Sequence, residues 1–162
     1  LRFQELRDEQ MQPAHGELPF FLQENTVIQF LQYPYEQVVA ENFVEILEKM
    51  ELINDLSCYE EIYGILEKEA LDGRKVEQQI IEIGTKRELF FGKDRLDTVL
   101  HYKDYTYMKR KWTAYLKRER KKEPDWVEVM TLLEAFFPPV WRAIIRDEIF
   151  IGDWMPELCR FL

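Results

Sequence analysis

With 162 residues, 46% of them hydrophobic, the chain is long enough to bury a core of its own and too apolar for a disordered segment. Its net charge of −9 sets the body as a whole against non-specific binding to nucleic acid or anionic lipid. Two Cys and two His leave a zinc site without ligands at any usual spacing, so no cofactor or metal is expected.

Residues 1–34 read as an extended, irregular N-terminal arm. Pro13, Gly16, Pro19 and Pro34 break it, and Phe20 and Phe21 give it an apolar point of contact. A short helix is expected around Glu24 to Gln32. Residues 35–162 read as a single helical domain. From Tyr35, the residues Val38, Val39, Phe43, Ile46, Leu47 and Met50 follow the helical period, with Glu36, Glu41, Glu45 and Glu48 mostly opposite. Asn54-Asp55 ends this helix. Ser57 and Glu60 fit a capping box for the next, which carries Tyr59, Ile62, Tyr63 and Leu66 and stops at Leu71-Asp72-Gly73. A third helix runs from about Arg74 to Ile83, with Gly84 as its expected stop.

Residues 85–93 form a link in which Leu89, Phe90 and Phe91 are exposed unless something covers them. Asp94 is the expected cap of a long helix reaching Lys122, inward-facing through Leu96, Val99, Met108, Trp112, Tyr115 and Leu116. Thr106 and Thr113 are poor helix residues, which leaves a break near Asp104 to Thr106 open. Pro124 ends that helix and Asp125 caps another, closed by Pro138-Pro139. A last helix starts at Pro139 and ends at Gly152, and Asp153 to Leu162 makes one more short turn with Trp154 exposed.

Strand signals are scarce, so the expected fold class is all-α: about six helices packed as antiparallel neighbours, behind the Pro-broken arm. Ile46-Leu47-Glu48-Lys49 recurs as Ile65-Leu66-Glu67-Lys68, which leaves a degenerate helical-hairpin solenoid open. Neither Cys58 nor Cys159 belongs to a CxxC pair. Both read as free, buried thiols of an intracellular, reducing compartment, cytoplasmic or organellar. No apolar run approaches the roughly 18 residues of a membrane span. The chain begins at Leu1 rather than Met and reads as the processed or ordered part of a longer protein, so the lack of a signal pattern carries no weight.

The strongest local contrast is Lys103 to Lys122. It holds nine Lys or Arg against Asp104 and Glu119, a charge of +7, so the remaining residues sum to −16. Lys109, Arg110, Lys111, Lys117, Arg118, Arg120 and Lys121, with Lys122 after them, interleave with Tyr102, Tyr105, Tyr107, Trp112 and Tyr115. Cations that meet phosphates beside rings that stack on bases are what a nucleic-acid surface needs. The same pattern also serves an acidic protein partner, or a solvated face. Carboxylates at Glu60, Glu61, Glu67, Glu69 and Glu77 lack an ExxH companion for di-iron chemistry, and His15 and His101 lack a nucleophile motif. The glycines form neither GxGxxG nor GxxxxGK[ST].

Glu88 to Val99, ELFFGKDRLDTV, resembles the closing segment of thioredoxin-like isomerases related to disulfide oxidoreductases. The resemblance spans twelve residues. The family's Val-Pro turn, its CxxC and its βαβ beginning are missing, so it carries over no site. The functional expectation is a non-catalytic helical accessory or structural subunit, a protein-interaction module of a larger assembly. Its partners are other protein subunits, acidic ones included, and a nucleic-acid-binding protein is the alternative. High aromatic content supports contact work, since rings with a polar handle concentrate at interfaces. The contact residues expected are Phe20, Phe21, Phe90, Phe91 and Trp154, with the seven cations above.

Overall fold

Helices form where the apolar period runs, in a computed structural model that describes residues 33–162. They are α1 (Tyr35–Lys49), α2 (Ser57–Lys68), α3 (Gly73–Lys86), α4 (Lys93–Leu100), α5 (Thr106–Arg118) and α6 (Trp126–Ile145). One-turn 3₁₀ segments follow α1 and α4. A small antiparallel sheet joins β1 (Leu71–Asp72), β2 (Asp153–Met155) and β3 (Arg160–Phe161) in that order. The described residues are therefore all-α with one patch of sheet. Among the described residues, no helix is long and apolar enough to cross a membrane. The short helix expected at Glu24 to Gln32 and the contacts at Phe20 and Phe21 lie outside the described residues. Tyr33 is buried, and the Pro34 carbonyl accepts from the N–H groups of Gln37 and Val38 to start α1.

The core sits between α1 and α6. The ring of Phe43 on α1 stacks on Phe137 of α6 at 3.8 Å, and Trp141 meets Phe43 edge-on at 5.8 Å. α1 packs against α2 and α3, while α6 touches α2, α3, α4 and α5. Val39, Ile46, Leu47, Ile62, Leu66, Val76 and Ile80 are fully buried on these helices, which is the expected stripe. Each such side chain contributes about 1.5–3 kcal/mol by leaving water.

Several expected stops are not stops. Pro138 and Pro139 lie inside α6, which continues for a further six residues to Ile145. A proline in a helix interior costs about 3 kcal/mol. Phe136, Phe137, Val140, Trp141 and Ile144 are all buried around the pair, and their burial outweighs that cost. Gly84 does not end α3, which runs to Lys86. A Cβ at Gly84 would stand 2.8 Å from the Phe91 ring, so this glycine serves a close contact. The C-terminal turn of α3 is closed instead by Glu88 at φ 60°, with Leu89 N–H reaching the Gly84 carbonyl at 2.8 Å. Likewise Gly73 opens α3 rather than ending α2. Its amide donates to the Gly152 carbonyl at 2.8 Å, and a Cβ there would meet that oxygen at 2.6 Å.

The caps also differ. Asp55, not Ser57, receives the first amide of α2: its Oδ1 accepts from Ser57 N–H at 3.1 Å and from the Ser57 hydroxyl at 2.6 Å. That leaves Glu60 free for another task. Gly92, not Asp94, precedes the first turn of α4. The long helix expected over 94–122 is two helices. A 3₁₀ turn over His101–Asp104 and an extended Tyr105 separate α4 from α5, an interruption that reaches the expected break near Asp104 to Thr106 but begins earlier, at His101. In the last ten residues a β-hairpin replaces the expected turn. Trp154 is 0% exposed, not a free contact residue. Its indole N–H donates to the Leu66 carbonyl at 2.8 Å, and Phe136 and Phe161 pack edgewise on it at 5.1 and 5.4 Å. The string resembling thioredoxin-like isomerases lies in the α3–α4 loop and α4, and the described residues hold no βαβ unit.

Candidate functional site

α5 divides its two faces by helical spacing. Met108, Trp112, Tyr115 and Leu116 turn inward and are buried. Lys109, Arg110, Lys117 and Arg118 fall on the other side, and Arg120 and Lys122 follow in the turn after the helix. None of these six makes an ion pair with any described residue. Three other cations of the stretch are tied down. Lys111 donates to the carbonyls of Glu51 (3.0 Å) and Ile53, and its ammonium also sits 5.2 Å above the Tyr107 ring. Lys121 is bound to Glu60, and Lys103 to Glu134 at 3.2 Å.

The Glu60–Lys121 pair locates the C-terminal end of α5. Glu60 also accepts from the Tyr115 hydroxyl at 2.5 Å. Burial pushes the Glu60 carboxyl up, but the hydrogen bonds from Lys121 and Tyr115 outweigh burial and hold it below its usual range. The Tyr115 hydroxyl is driven up, first by burial and then by the same carboxylate. Arg120, at φ 59°, closes the helix: Lys121 N–H reaches the Leu116 carbonyl at 2.9 Å and Arg120 N–H reaches Lys117 at 3.1 Å. This tight reversal is what crowds Lys117, Arg120, Lys121 and Lys122 together.

Those four residues rim a groove of about 590 Å³ between the end of α5 and the start of α6. Its floor is Trp112, Leu116 and Trp126. Both indoles are fixed by backbone acceptors: Trp112 donates to the Pro124 carbonyl at 2.9 Å and Trp126 to Tyr102 at 2.8 Å. Asp125 also lines the groove, but its carboxylate is occupied in capping α6, accepting from Glu128 N–H at 2.9 Å. The groove thus presents four cations around an aromatic floor, in a protein of net charge −9.

Comparison with protein-family models, curated proteins and solved structures finds no match.

The other expected contact residues scatter. Phe90 is 74% exposed beside a hollow lined by Met50 and Arg95, away from the groove. Phe91 is half-buried against Trp141 at 5.8 Å and over Gly84. Tyr105 and Tyr107, at 44% and 47% exposure, lie 5.7 Å apart at the N-terminal end of α5. Cys58 is buried as expected, whereas Cys159 is exposed, and the two form no disulfide. His101 is exposed with Nδ1 2.7 Å from the carbonyl of Asp97, one turn back. Among the described residues, no group of three or more His, Cys, Asp or Glu is placed to hold a metal. Trp126 escaped the sequence reading as a site residue. Its position directly after the Asp125 cap was the available signal, because a helix start beside a basic helix end must face it.

Proposed function

We propose that the chain is a non-catalytic helical interaction module of a larger intracellular assembly, which docks on an acidic protein surface through the C-terminal half of α5. One observation carries this reading. Six cations of the basic stretch find no ion pair among the described residues, although the chain carries an excess of acids that would accept them. The folded body instead gathers part of that charge around a groove with an aromatic floor. Potentials matched in sign raise the encounter rate with an acidic surface and disfavour wrong partners. A floor of fixed rings offers the apolar contact that charge alone does not supply.

The second reading is a single-stranded nucleic-acid binder. Tyr105 and Tyr107 favour it, being exposed rings at the N-terminal end of the helix that carries the unpaired cations. One experiment separates the two. The triple variant Lys117→Glu, Arg118→Glu, Lys122→Glu alters exposed side chains and leaves the Lys121–Glu60 link in place. Binding of a labelled poly-glutamate peptide and of a labelled single-stranded oligonucleotide is measured for both proteins between about 50 and 200 mM salt. The peptide should bind the parent chain and lose about tenfold or more in the variant, with unchanged circular dichroism. Equal peptide binding by the two proteins would overturn the reading. A tighter, steeply salt-dependent oligonucleotide complex would replace it with the second.

A further inference from the structure

A second hollow, sharing no lining residue with the α5 groove, lies between α4 and the C-terminal half of α6. Its volume is about 290 Å³. Leu96, Leu100, Pro138 and Trp141 form its apolar part, and Ile145 stands at its lip, 38% exposed. The floor is held in advance. The Trp141 indole donates to the Gly92 carbonyl at 3.1 Å, and Phe43 and Phe91 each hold the ring edge-on at 5.8 Å. A ligand therefore meets a formed pocket and spends little on ordering it.

The charges around this hollow are as telling as its floor. Arg142 lies in the last turn of α6 and Arg146 directly follows the helix, four residues on, while Lys93 approaches from α4. None of the three makes an ion pair with a described residue, and Asp97 is the one acid in the lining. Arg146 and Arg142 also complement the C-terminal end of the α6 dipole. Lys93 has no such use. It is the first residue of α4, where the helix dipole disfavours a cation.

We propose that this hollow receives one Leu- or Phe-sized anchor side chain from an acidic segment of a partner protein, with the segment's carboxylates meeting Arg142, Arg146 and Lys93. The volume falls just below the roughly 300–1,000 Å³ of small-molecule sites, which suits one side chain rather than a whole ligand. The net positive rim selects an acidic flank, and the net charge of −9 works against a second copy of this chain as occupant. A nucleic-acid strand would need a longer cationic track and exposed stacking rings, and Trp141 is only 3% exposed. The surface is distinct from the one assigned to the α5 face, so the two readings stand or fall separately.

The probes are a labelled peptide with one Phe flanked on both sides by Glu, the same peptide with Phe→Ser, and vesicles of anionic phospholipid. Binding to the full chain is followed by fluorescence anisotropy and by amide shifts in nitrogen–proton correlation spectra. The Phe peptide should bind with shifts centred on Leu100, Trp141 and Ile145. The Ser peptide and the doubly exposed variant Arg142→Glu, Arg146→Glu should each bind at least about tenfold more weakly. The α5 triple variant should keep those shifts, which separates failure here from failure of the α5 reading. Equal binding of Phe and Ser peptides overturns the proposal, since charge alone would then explain the complex. So do shifts confined to α5 that spare Leu100, Trp141 and Ile145, stronger binding to the vesicles, or self-association that buries Ile145.

Discussion

Replacing Arg87 by Met should cost about 2–3 kcal/mol of stability. Arg87 follows the last turn of α3 and lies across three successive acids of α1. One guanidinium nitrogen pairs with Glu41, and the other reaches Glu45 at 3.0 Å and Glu48 at 3.3 Å. The Glu41 side chain is 5% exposed and that of Arg87 is 23% exposed, so the central pair is largely out of water. Burial alone would lower the Arg87 pKa, and the carboxylates, Glu41 foremost, more than reverse this and raise it. Removing one partner of a buried pair costs about 3–5 kcal/mol, because the other charge stays buried. Solvent around the guanidinium and around Glu48 reduces that figure. Methionine keeps the apolar stem, so the loss is one of charge rather than packing. In urea, a slope of about 1–3 kcal/mol/M turns the cost into a midpoint lower by about 1 M or more. The double variant Arg87→Met, Glu41→Gln should recover at least half of the loss, since the most buried of the three acids left behind is then neutral. A single-variant cost below about 0.5 kcal/mol, or a double variant no better than the single, would refute the claim that α3 is held on α1 by this charge cluster.

Two other outcomes follow from the helix ends and from the α2–α5 link. Glu88 and Asp147 hold φ of 60° and 57° where a glycine is the usual helix terminator, and both are exposed. Glu88→Gly and Asp147→Gly should each stabilise the chain by about 0.5–1 kcal/mol, the left-handed strain relieved exceeding the added entropy of the unfolded chain; lower thermal midpoints would count against it. The folded Glu60 carboxyl lies below its ordinary value of 4.5, so its contribution to stability is present above that value and disappears as pH falls through the folded pKa. Glu60→Gln should remove about 1 kcal/mol or less at neutral pH and flatten the acid limb of the stability profile, measured by urea melts from neutral to acid pH. An unchanged limb would mean the Tyr115 and Lys121 contacts contribute nothing in solution.

The helical stripes were legible because burial follows spacing. Val39, Phe43, Ile46 and Leu47 on α1, and Trp112 and Leu116 on α5, are buried where the 3.6-residue period puts them. The punctuation was misread, since one residue type serves two purposes. Glycine commonly terminates a helix, yet Gly73 and Gly84 are placed where neighbouring atoms leave no room for a Cβ. The terminators are Glu88, Arg120 and Asp147, residues with no such signature. Pro138 and Pro139 looked like a helix end, although Leu133, Phe136, Phe137, Val140 and Ile144 keep one period across them, and that continuity was the better signal. Strands of two or three residues have no period to detect. Trp154 therefore looked like an exposed ring, when it is the residue that fastens the hairpin to α2.

The candidate surfaces show a sharper limit of the same kind. Composition revealed that α5 is basic in an acidic chain, and helical spacing revealed which side packs inward. Neither distinguishes a cation with a partner from one without. Lys121 and Lys117 sit four residues apart with the same chemistry, but Glu60, 61 residues away from Lys121, takes one of them. Arg142 and Arg146 lie four residues apart in the sequence, one helical turn. Their meaning depends on Leu100 and Lys93, which only the break at Tyr105 frees from a continuous helix and folds against α6. The two surfaces proposed for partners are ones where cations find no ion pair among the described residues. Reading them therefore requires the long-range ion pairs of the fold, the one kind of information that local periodicity does not carry.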